Sequence, residues 1–397
     1  MVSAEYRLGA KGPVITSTQS RLKVLVFRNE LLPTSETFIL AQAKALRHFE
    51  PVFAGVHSAP HSLALDIAPT LVSASPTILG KVMRRVYWRT SFAPSFHRTL
   101  RSIAPALIHA HFALDGAAAL PLLARLGVPL VVTLHGYDVT ASESFLSRSQ
   151  EGRLYLRRRE ELWKRASLFL CISEFIREKA LQQGFPAEKL RVHYTGTDLD
   201  LFHFQPHQRD PNMILFVGRL VEKKGCTHLL DALANIRNEH PAVRLVIIGS
   251  GPLESALRNR VAAEGLPCEF LGMQSAPVVR DYMARARVFC APSVAAANGD
   301  SEGLGMVYIE AQAMGTPVAS FVHGGIPEVV RNGTNGLLAP EGDSHALASN
   351  LLQFLQDDAM WLRHSEAGLS WVHERFDIKK QGVALERLYA EVLACHA

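Results

Sequence analysis

The stretch MILFVGRLVEKKG (213–225) decides the fold, because it restarts a pattern that already runs through the first half of the chain. It opens with a short apolar run and closes with a basic loop. Similar apolar runs occur earlier at 21–27, 51–56, 107–112, 129–135, 167–173 and 190–196. Later ones lie at 213–218, 243–249, 268–272, 287–293 and 316–321. Continuous apolar strands separated by helices are typical of parallel sheets buried on both faces.

Two such series predict an α/β protein of two doubly wound, Rossmann-like domains that face an interdomain cleft. The polar segment HFQPHQRDPN (203–212) has no apolar periodicity, and we interpret it as the linker. The first domain is then 1–202, the second 213–375, and a last segment 376–397 follows. Ligands of open α/β sheets bind beyond the carboxyl ends of the strands, so we expect the functional residues to line the cleft.

The composition excludes several classes of protein. The 42 Lys plus Arg residues nearly balance the 37 Asp plus Glu residues, so we do not expect nucleic acid as a partner. Five widely spread cysteines without a Cys-x-x-Cys pair indicate neither a disulfide framework nor a zinc site, which fits a reducing compartment. No apolar run is long enough to cross a bilayer, and 1–21 lacks the apolar core of a signal peptide. We expect a cytoplasmic protein.

The basic loop after the first strand of the second series is a candidate anion site. Gly218 ends this strand, and Arg219 and Lys224 follow it just before a helix that begins near Gly225. Two cations beside a helix N-terminus can hold a diphosphate without a metal. The alternative is an ordinary solvated basic loop.

A second candidate is SEGLGMVYIEAQAMGTP (301–317), which carries Glu302 and Glu310. Gly303 and Gly305 would let the backbone approach a ligand closely. Glu310 lies about five residues into the following helix, or roughly 7 to 8 Å further on. Each carboxylate could accept hydrogen bonds from one diol of a nucleotide sugar. Alternatively, Glu310 is an exposed helix residue and Glu302 an acid stabilised by the helix dipole.

In the first series, TLHGYD (133–138) ends a strand at His135, followed by Asp138. A histidine at a strand end beside a cleft can contact a reacting centre, although single histidines are more often structural. His109 and His111 share one face of another strand, but no third ligand for a metal is apparent.

The segment TDLD (197–200) contains the Asp-x-Asp pattern that binds a divalent cation in another class of sugar transferases. It follows a strand and leads into the linker, so a turn or helix-cap role is favoured. Because Arg219 and Lys224 already supply positive charge, we expect no metal and no other cofactor.

The segment KVMRRVYWRTSFAPSFHRTLRS (81–102) has no acidic residue and interleaves basic with apolar and aromatic side chains. Its basic residues are Lys81, Arg84, Arg85, Arg89, Arg98 and Arg101. This combination predicts contact with an anionic membrane surface or an anionic acceptor, with nucleic acid as the competing partner. An ordinary helix buried on one face is the alternative, since basic stems often cover apolar surface.

Several motifs in one order resemble the retaining glycosyltransferases of family 4, which have the GT-B fold. The motifs are TLHGYD, GRLVEKKG, GSGP, the FLG turn, EGLGMVYIEAQAMGTPV and GGIPEVVRNGTNGLL. The resemblance covers nearly the whole chain from about Leu22 onward. PTSETFILAQ (33–42) is similar to a subgroup found in bacterial exopolysaccharide and envelope polysaccharide synthesis.

This resemblance implies a role for each matching residue. The catalytic set comprises His135, Arg219, Lys224 and Glu302. The donor-binding set comprises Gly218, Met273, Gly303, Leu304, Gly305, Met306, Val307 and Glu310. Within these sets, the two cations would hold the diphosphate, Glu310 the ribose, Glu302 the sugar hydroxyls and Met273 the base. His135 would lie near the anomeric carbon, and the last segment would cross back to the first domain.

One departure from the family concerns the loop after the first strand. Many members carry glycines there, whereas NELLPTSETF (29–38) has none. Ser35 and Thr37 can still offer hydroxyl and N–H donors at a helix start. We treat Ser35, His111 and Asp138 as candidates for binding the acceptor or for ordering this loop.

The expected activity is transfer of a hexose from a nucleotide-diphosphate sugar to a glycan or lipid-linked glycan. A UDP-sugar is favoured over a GDP-sugar by family frequency. A nucleotide-sugar epimerase on the same fold and a non-catalytic nucleotide-sugar-binding protein are the alternatives. A nicotinamide-dependent oxidoreductase is disfavoured, because no G-x-G-x-x-G follows a strand. We expect association with the inner face of the cell membrane through 81–102.

Overall fold

The computed structural model describes residues 21–33, 35–60, 62–75, 77–204 and 209–396. Part of the predicted linker, 205–208, therefore lies outside the described residues, as does 1–20. The described residues form two parallel sheets, of seven and six strands.

All strand pairs in the first sheet are parallel, in the order β3-β2-β1-β4-β5-β6-β7. These strands are β1 Leu22–Leu31, β2 Phe49–Ser58, β3 Thr70–Leu71, β4 Leu107–His111, β5 Leu130–Leu134, β6 Leu168–Cys171 and β7 Leu190–Val192. The central strands β4, β5 and β6 are buried at every position. Their continuous apolar runs therefore lie between two helical layers.

The second sheet is also parallel, in the order β10-β9-β8-β11-β12-β13. Its strands are β8 Met213–Val217, β9 Arg244–Ile248, β10 Cys268–Gly272, β11 Val288–Cys290, β12 Val318–Phe321 and β13 Gly336–Ala339. In both sheets the strand order reverses beside the first strand of the series, which creates the crevice where open α/β sheets bind ligands.

Helices connect the strands of each sheet. In the first half they are α1 Thr37–Lys44, α2 Ile78–Thr90, α3 Pro94–Ile103, α4 Ala113–Leu126, α5 Tyr137–Thr140, α6 Glu143–Leu146, α7 Gln150–Arg165 and α8 Glu174–Gln183. In the second half they are α9 Cys226–Ile236, α10 Glu254–Glu264, α11 Ala276–Arg285, α12 Met306–Ala313, α13 Ile326–Val329, α14 Ser344–Gln356, α15 Asp358–Arg375 and α16 Ile378–His396. None of the helices in the described part of the chain combines the length and hydropathy needed to cross a bilayer.

The predicted fold of two doubly wound domains is confirmed, and each predicted apolar run contains a strand. Two strands were not predicted. β3 has only two residues, and β13 follows the Gly- and Asn-rich turn 332–336, so neither gives the long apolar run on which the prediction relied. Both are edge strands, where short length is common.

The last helix, α16, packs on the first sheet. Leu385, Tyr389 and Val392 belong to one apolar cluster with residues of β1, β4, β5 and β6. The Glu386 carboxylate accepts hydrogen bonds from the backbone N–H groups of Arg47 (2.7 Å), His48 (2.6 Å) and Phe49 (3.2 Å). A carboxylate on α16 thus supplies the acceptor for the backbone N–H groups of the residues that lead into β2.

We expect Glu386→Ala to lower the free energy of unfolding by about 1 to 3 kcal/mol, because it leaves these N–H donors without their acceptor. Burial alone raises the pKa of Glu386, but the hydrogen bonds from the His48 side chain and from the backbone N–H groups hold it below its usual value. The stabilisation is therefore present at neutral pH and lost as the pH falls through the lowered pKa.

Urea unfolding at several pH values measures this contribution. Glu391→Ala is the matched control, since Glu391 is exposed on the same helix. Equal losses in the two variants, or a loss that grows at acidic pH, would contradict the assignment.

Candidate active site

The carboxyl ends of the two sheets meet across the cleft, where the loop after β11 contacts the first domain. The Ser173 hydroxyl donates a hydrogen bond to the Gly303 carbonyl oxygen at 2.6 Å. The Ser301 N–H donates to the Thr140 hydroxyl at 3.3 Å. A Cβ on Gly303 would lie 2.6 Å from the His135 carbonyl oxygen, so only glycine fits there. The domain contact therefore requires glycine at this position, and the role of Gly303 in donor binding stays a prediction.

A second interdomain contact, absent from our sequence prediction, involves Glu328 of α13. Its carboxylate accepts hydrogen bonds from the N–H groups of Glu174 at 2.8 Å and Phe175 at 3.0 Å, at the start of α8. It also accepts one from the Tyr194 hydroxyl at 3.0 Å. A negative charge at a helix N-terminus is favourable, so this contact holds the two domains in register.

Lys224 and Glu302, predicted to bind separate parts of a donor, form an ion pair with each other. Glu302 is buried, and the Ser293 hydroxyl donates to its carboxylate at 3.4 Å. Burial alone would raise the pKa of Glu302, but the Lys224 and Lys223 ammonium groups lower it to about 2. The Glu302 carboxylate is therefore ionised at neutral pH and forms its ion pair with the Lys224 ammonium group.

Arg219 lies at the same edge of the second sheet, directly after β8 and Gly218. Its side chain is exposed and forms no ion pair with any residue that the structure describes. Met273, after β10, is also exposed, at 68%. Thus one cationic and one large apolar side chain are exposed to solvent at this edge of the sheet.

Glu310 is a partly buried residue of α12, and its carboxyl has no hydrogen-bond partner among the described residues. Burial raises the pKa of Glu310 to about 7. Of the residues before it, Leu304 is buried in the apolar core, whereas Met306 and Val307 are partly buried at the helix start. Gly305 precedes the helix at φ +88, a backbone conformation that favours glycine.

His135 stands at the end of a row of three histidines. His109 and His111 stack with ring centroids 4.3 Å apart, and the His111 and His135 centroids are 5.2 Å apart. His111 Nδ1 and His135 Nε2 are 3.0 Å apart and share a hydrogen bond. His109 Nδ1 lies 2.6 Å from the Tyr389 hydroxyl of α16, and its Nε2 lies 2.7 Å from the Thr133 hydroxyl. Helix α16 therefore contacts the row that ends in the cleft.

Burial lowers the pKa of His135 well below its ordinary value, and the Arg28 and His109 charges act in the same direction. The pKa of His111 is also lowered well below its ordinary value, mainly by burial. Both rings are thus neutral at neutral pH, which suits them to hydrogen bonding rather than to charge stabilisation. The 2% exposure of His111 corrects its assignment as an acceptor contact: it supports His135 from inside the sheet.

Asp138 is also corrected as an acceptor candidate, because its carboxylate does not face the cleft. It is fully buried and accepts hydrogen bonds from the N–H groups of Gly136 (2.8 Å), Ala113 (2.9 Å) and His135 (3.1 Å). Burial raises the pKa of Asp138 to about 6, although these hydrogen bonds lower it. Asp138 therefore fixes the backbone on both sides of His135.

A buried charge network around Arg28 was not predicted from the sequence. The Arg28 guanidinium pairs with the carboxylates of Glu36 and Asp115, donates to the His111 carbonyl oxygen at 3.1 Å, and lies 4.5 Å above the Phe112 ring. Asp115 was detectable as the single acid in the otherwise apolar segment ALDGAAALPLL (113–123). Arg28 thus joins Glu36, directly before α1, to Asp115 of α4.

The remaining loop and metal candidates are resolved by their surroundings. Ser35 is exposed beside this network. Asp198 accepts a hydrogen bond from the Asp200 N–H at 3.0 Å, and Asp200 pairs with Lys379, so the Asp-x-Asp segment forms a turn. Within the described ranges, no three His, Cys, Asp or Glu side chains are grouped so that they could hold a metal ion.

Another unpredicted residue, His323, supports Glu302. Its Nε2 accepts a hydrogen bond from the Glu302 N–H at 3.3 Å, and its Nδ1 lies 2.9 Å from the Glu341 carboxylate. The isolated histidine in the loop after β12 offered no sequence pattern that would have indicated this contact.

Two family profiles match the chain in adjoining ranges. The profile described as Glycosyltransferase Family 4 matches residues 35–201, and the one described as Glycosyl transferases group 1 matches residues 200–371. The chain belongs to glycosyltransferase family 4. The two matches confirm the resemblance that the motifs of this family 4 member indicated.

Curated relatives match this family 4 member over part of their length. The amylovoran biosynthesis glycosyltransferase AmsK of Erwinia amylovora is 34% identical over 255 residues, which are 63% of this chain and 61% of AmsK. WcaL of Escherichia coli, a candidate colanic acid biosynthesis glycosyltransferase, is 34% identical over 63% of this chain and 61% of its own length. The match thus spans about 61% of these two relatives.

The fold of the family 4 member is that of solved GT-B structures. HepE of Anabaena, in complex with UDP-glucose, superimposes with a TM-score of 0.73 at 22% identity, covering 94% of this chain and 100% of HepE. The predicted GT-B fold is therefore confirmed.

We expect Lys224→Met to raise the pKa of Glu302 above its usual value of 4.5, because burial is the largest influence and the variant removes the strongest group that opposes it, leaving Lys223 and His323. In the native protein the ion pair contributes stability that is lost as the pH falls toward about 2. In the variant Glu302 takes up a proton on folding, so stability is lost as the pH rises through the raised pKa.

Carboxyl NMR titration and urea unfolding between acidic and neutral pH measure this reversal. Lys223→Met is the control, since Lys223 pairs with Asp300 at 3.0 Å and leaves the Lys224 contact in place. A Glu302 pKa that stays low in Lys224→Met would show that the ion pair does not set it.

Proposed function

We propose that the chain is a retaining, metal-independent hexosyltransferase. It would transfer a hexose from a nucleotide-diphosphate sugar to a glycan or lipid-linked glycan acceptor in exopolysaccharide or cell-envelope synthesis. The names of AmsK and WcaL, which refer to amylovoran and colanic acid, support this class of acceptor. The complex of HepE with UDP-glucose supports a UDP-sugar, rather than a GDP-sugar, as the donor. We place the activity in the cytoplasm, with 81–102 in contact with the anionic inner face of the membrane.

The observation that carries this proposal is an unpaired cation, Arg219, after β8 and an unpartnered carboxyl, Glu310, on the helix that follows β11. Arg219 has no counterion among the described residues, and Glu310 is partly buried, with no hydrogen-bond partner there for its carboxyl. The Glu310 oxygens reach solvent, so a ligand can contact them. A nucleotide sugar offers both a diphosphate for Arg219 and a ribose diol for Glu310.

The Lys224–Glu302 pair is compatible with donor binding. An ammonium group has three N–H donors, and Glu302 uses only part of this capacity. The diphosphate would contact the remaining donors, while the second oxygen of Glu302 would accept a sugar hydroxyl. The ion pair would thus link the two halves of the donor site before the donor arrives.

A front-face route fits the charges at the site. The bond between the anomeric carbon and the departing phosphate oxygen breaks, and the acceptor oxygen bonds to that carbon from the same side. The acceptor hydroxyl proton passes to the departing phosphate oxygen, whose charge Arg219 and Lys224 stabilise. Double displacement needs a free carboxylate as nucleophile. The carboxylates near His135 are engaged, since Asp138 accepts three N–H groups and Asp115 and Glu36 pair with Arg28.

We expect UDP-sugars to raise the melting temperature of the protein more than GDP-sugars. A ligand at 100 times its dissociation constant adds about 2.7 kcal/mol to the stability of the folded state. A thermal-shift panel of UDP- and GDP-sugars measures this directly. Glu310→Gln should reduce the shift with intact nucleotides and leave the unliganded protein folded. If no nucleotide sugar shifts the melting, the donor assignment is wrong.

We expect Arg219→Ala to lower the transfer rate by about 100- to 1000-fold, as when one charge-stabilising donor is removed. Because Arg219 is exposed and unpaired among the described residues, this loss should occur without a change in melting temperature. Arg387→Ala, at an exposed site on α16, is the control.

Transfer assays with the full chain, a nucleotide sugar and a glycan acceptor separate the alternatives. Metal independence predicts an unchanged rate in a chelator. An epimerised sugar from donor alone would support the epimerase, and donor binding without any reaction would support the binding protein. Undiminished transfer by Arg219→Ala would remove Arg219 from the mechanism.

A further inference from the structure

A basic cavity lies between α2 and α7 of the first domain. It has a volume of about 570 Å³, which is within the range of small-ligand sites. Four arginines line it, Arg85 and Arg89 from α2 and Arg153 and Arg157 from α7. The rest of the lining is apolar except for Thr90 and Gln150, and it includes Trp88. No acidic residue is among the side chains that line this cavity.

The positive charge of the cavity is not neutralised by the protein. None of the four arginines forms an ion pair with a residue in the described part of the chain. Arg153 donates to the carbonyl oxygens of Ser147 (2.8 Å) and Arg148 (3.3 Å), which leaves its charge unpaired. Arginine binds phosphate through paired, planar N–H donors, so the cavity has the chemistry of a phosphate site.

Helix α2 also carries an exposed apolar face. Only Gly80 and Tyr87 of this helix are buried. Its exposed apolar residues are Ile78 (82%), Leu79 (69%), Val82 (47%), Met83 (40%) and Val86 (40%). At about 100° per residue, they fall within roughly 140° of the helix circumference.

This face is a patch rather than a scatter of apolar residues. Phe92, which follows the helix, is also exposed, at 62%. Together these six residues are nearly half of the large apolar side chains that are exposed in the described part of the chain. Contiguous apolar patches of this kind mark binding surfaces.

At about 100° per residue, Lys81 and Arg85 lie within roughly 60° of the edge of the apolar face, and Arg89 lies within that face in the last turn of α2. Val82 and Val86 of this face line the cavity together with Arg85 and Arg89, so the cavity opens beside the apolar face. A helix with an apolar face bordered by basic residues lies in the plane of a membrane surface. Its arginines then reach the level of the lipid phosphates.

We propose that α2 docks on a membrane and that the cavity between α2 and α7 binds the phosphate group of a long-chain lipid. The apolar face of α2 enters the hydrocarbon, and the arginines of both helices surround the phosphate. The inference rests on the proposed function for the membrane contact of 81–102 and for the suggestion that this lipid carries the acceptor, whereas lipid binding and sugar transfer are measured separately.

Flotation of the full chain with vesicles tests the proposal. The vesicles are phosphatidylcholine alone, phosphatidylcholine with phosphatidylglycerol, and phosphatidylcholine with hexadecyl phosphate at equal surface charge. The phosphatidylglycerol vesicles present an anionic phosphodiester, and the hexadecyl phosphate vesicles present a terminal phosphate. We expect binding to both charged mixtures and weak binding to the neutral vesicles. Tighter binding to hexadecyl phosphate would identify a terminal lipid phosphate as the ligand.

Two double variants and a control separate the cavity from general charge. Each basic residue near an anionic surface contributes about a fivefold increase in binding, so Arg85→Gln with Arg157→Gln should weaken it about 30-fold. Ile78→Asp with Leu79→Asp should abolish binding. It should not unfold α2, because both residues are exposed and acids are favourable in a first helical turn. Arg98→Gln with Arg101→Gln removes the same charge from exposed positions on α3, outside the cavity, and should weaken binding much less.

Equal losses in the cavity pair and the α3 pair would overturn the cavity site, because the charge would then act diffusely. No binding of the native chain to either charged mixture, or unchanged binding of the Ile78 and Leu79 variant, would overturn membrane docking. The thermal shift with nucleotide sugars is read separately on each variant. Failure of lipid binding is therefore distinguishable from failure of the proposed transferase activity.

Discussion

The hydrogen bond from the Ser173 hydroxyl to the Gly303 carbonyl oxygen joins the two domains at the centre of the site. It requires that the two backbones approach within contact distance, and Gly303 permits this because any side chain would collide with the His135 carbonyl. Glu328 adds a charged contact to the start of α8. The facing strand ends therefore form one site rather than two independent half-sites.

Charge satisfaction explains which groups remain open to a ligand. The most buried ionised groups have partners: Arg28 holds two carboxylates, and Glu302 is held by Lys224. Unpaired buried charges are costly, so these contacts are structural requirements as well as functional ones. Arg219 and Glu310 are candidate-site groups whose side chains have no partner among the described residues. The buried ionised groups are thus paired, whereas these two side chains are not.

Much of this arrangement could be predicted from the sequence, because it depends on local pattern. Apolar runs gave the strands, and strand ends gave the positions of His135, Arg219 and Met273. The sequence could not show which side chains pair across the fold. Asp138 and His111 looked like cleft residues, yet the structure turns both inward, where backbone N–H groups and His135 are their partners. Arg28 contacts Asp115, and Glu328 contacts the start of α8, across long sequence separations. No local sequence pattern could therefore predict these contacts.

The return of α16 to the first domain means that the chain passes between the domains twice. The first passage starts beside the second, since Thr197 and Asp377 form a parallel bridge and the Thr197 N–H donates to the Phe376 carbonyl oxygen at 2.7 Å. Two covalent connections that start at one place limit the separation of the domains there more than a single connection would.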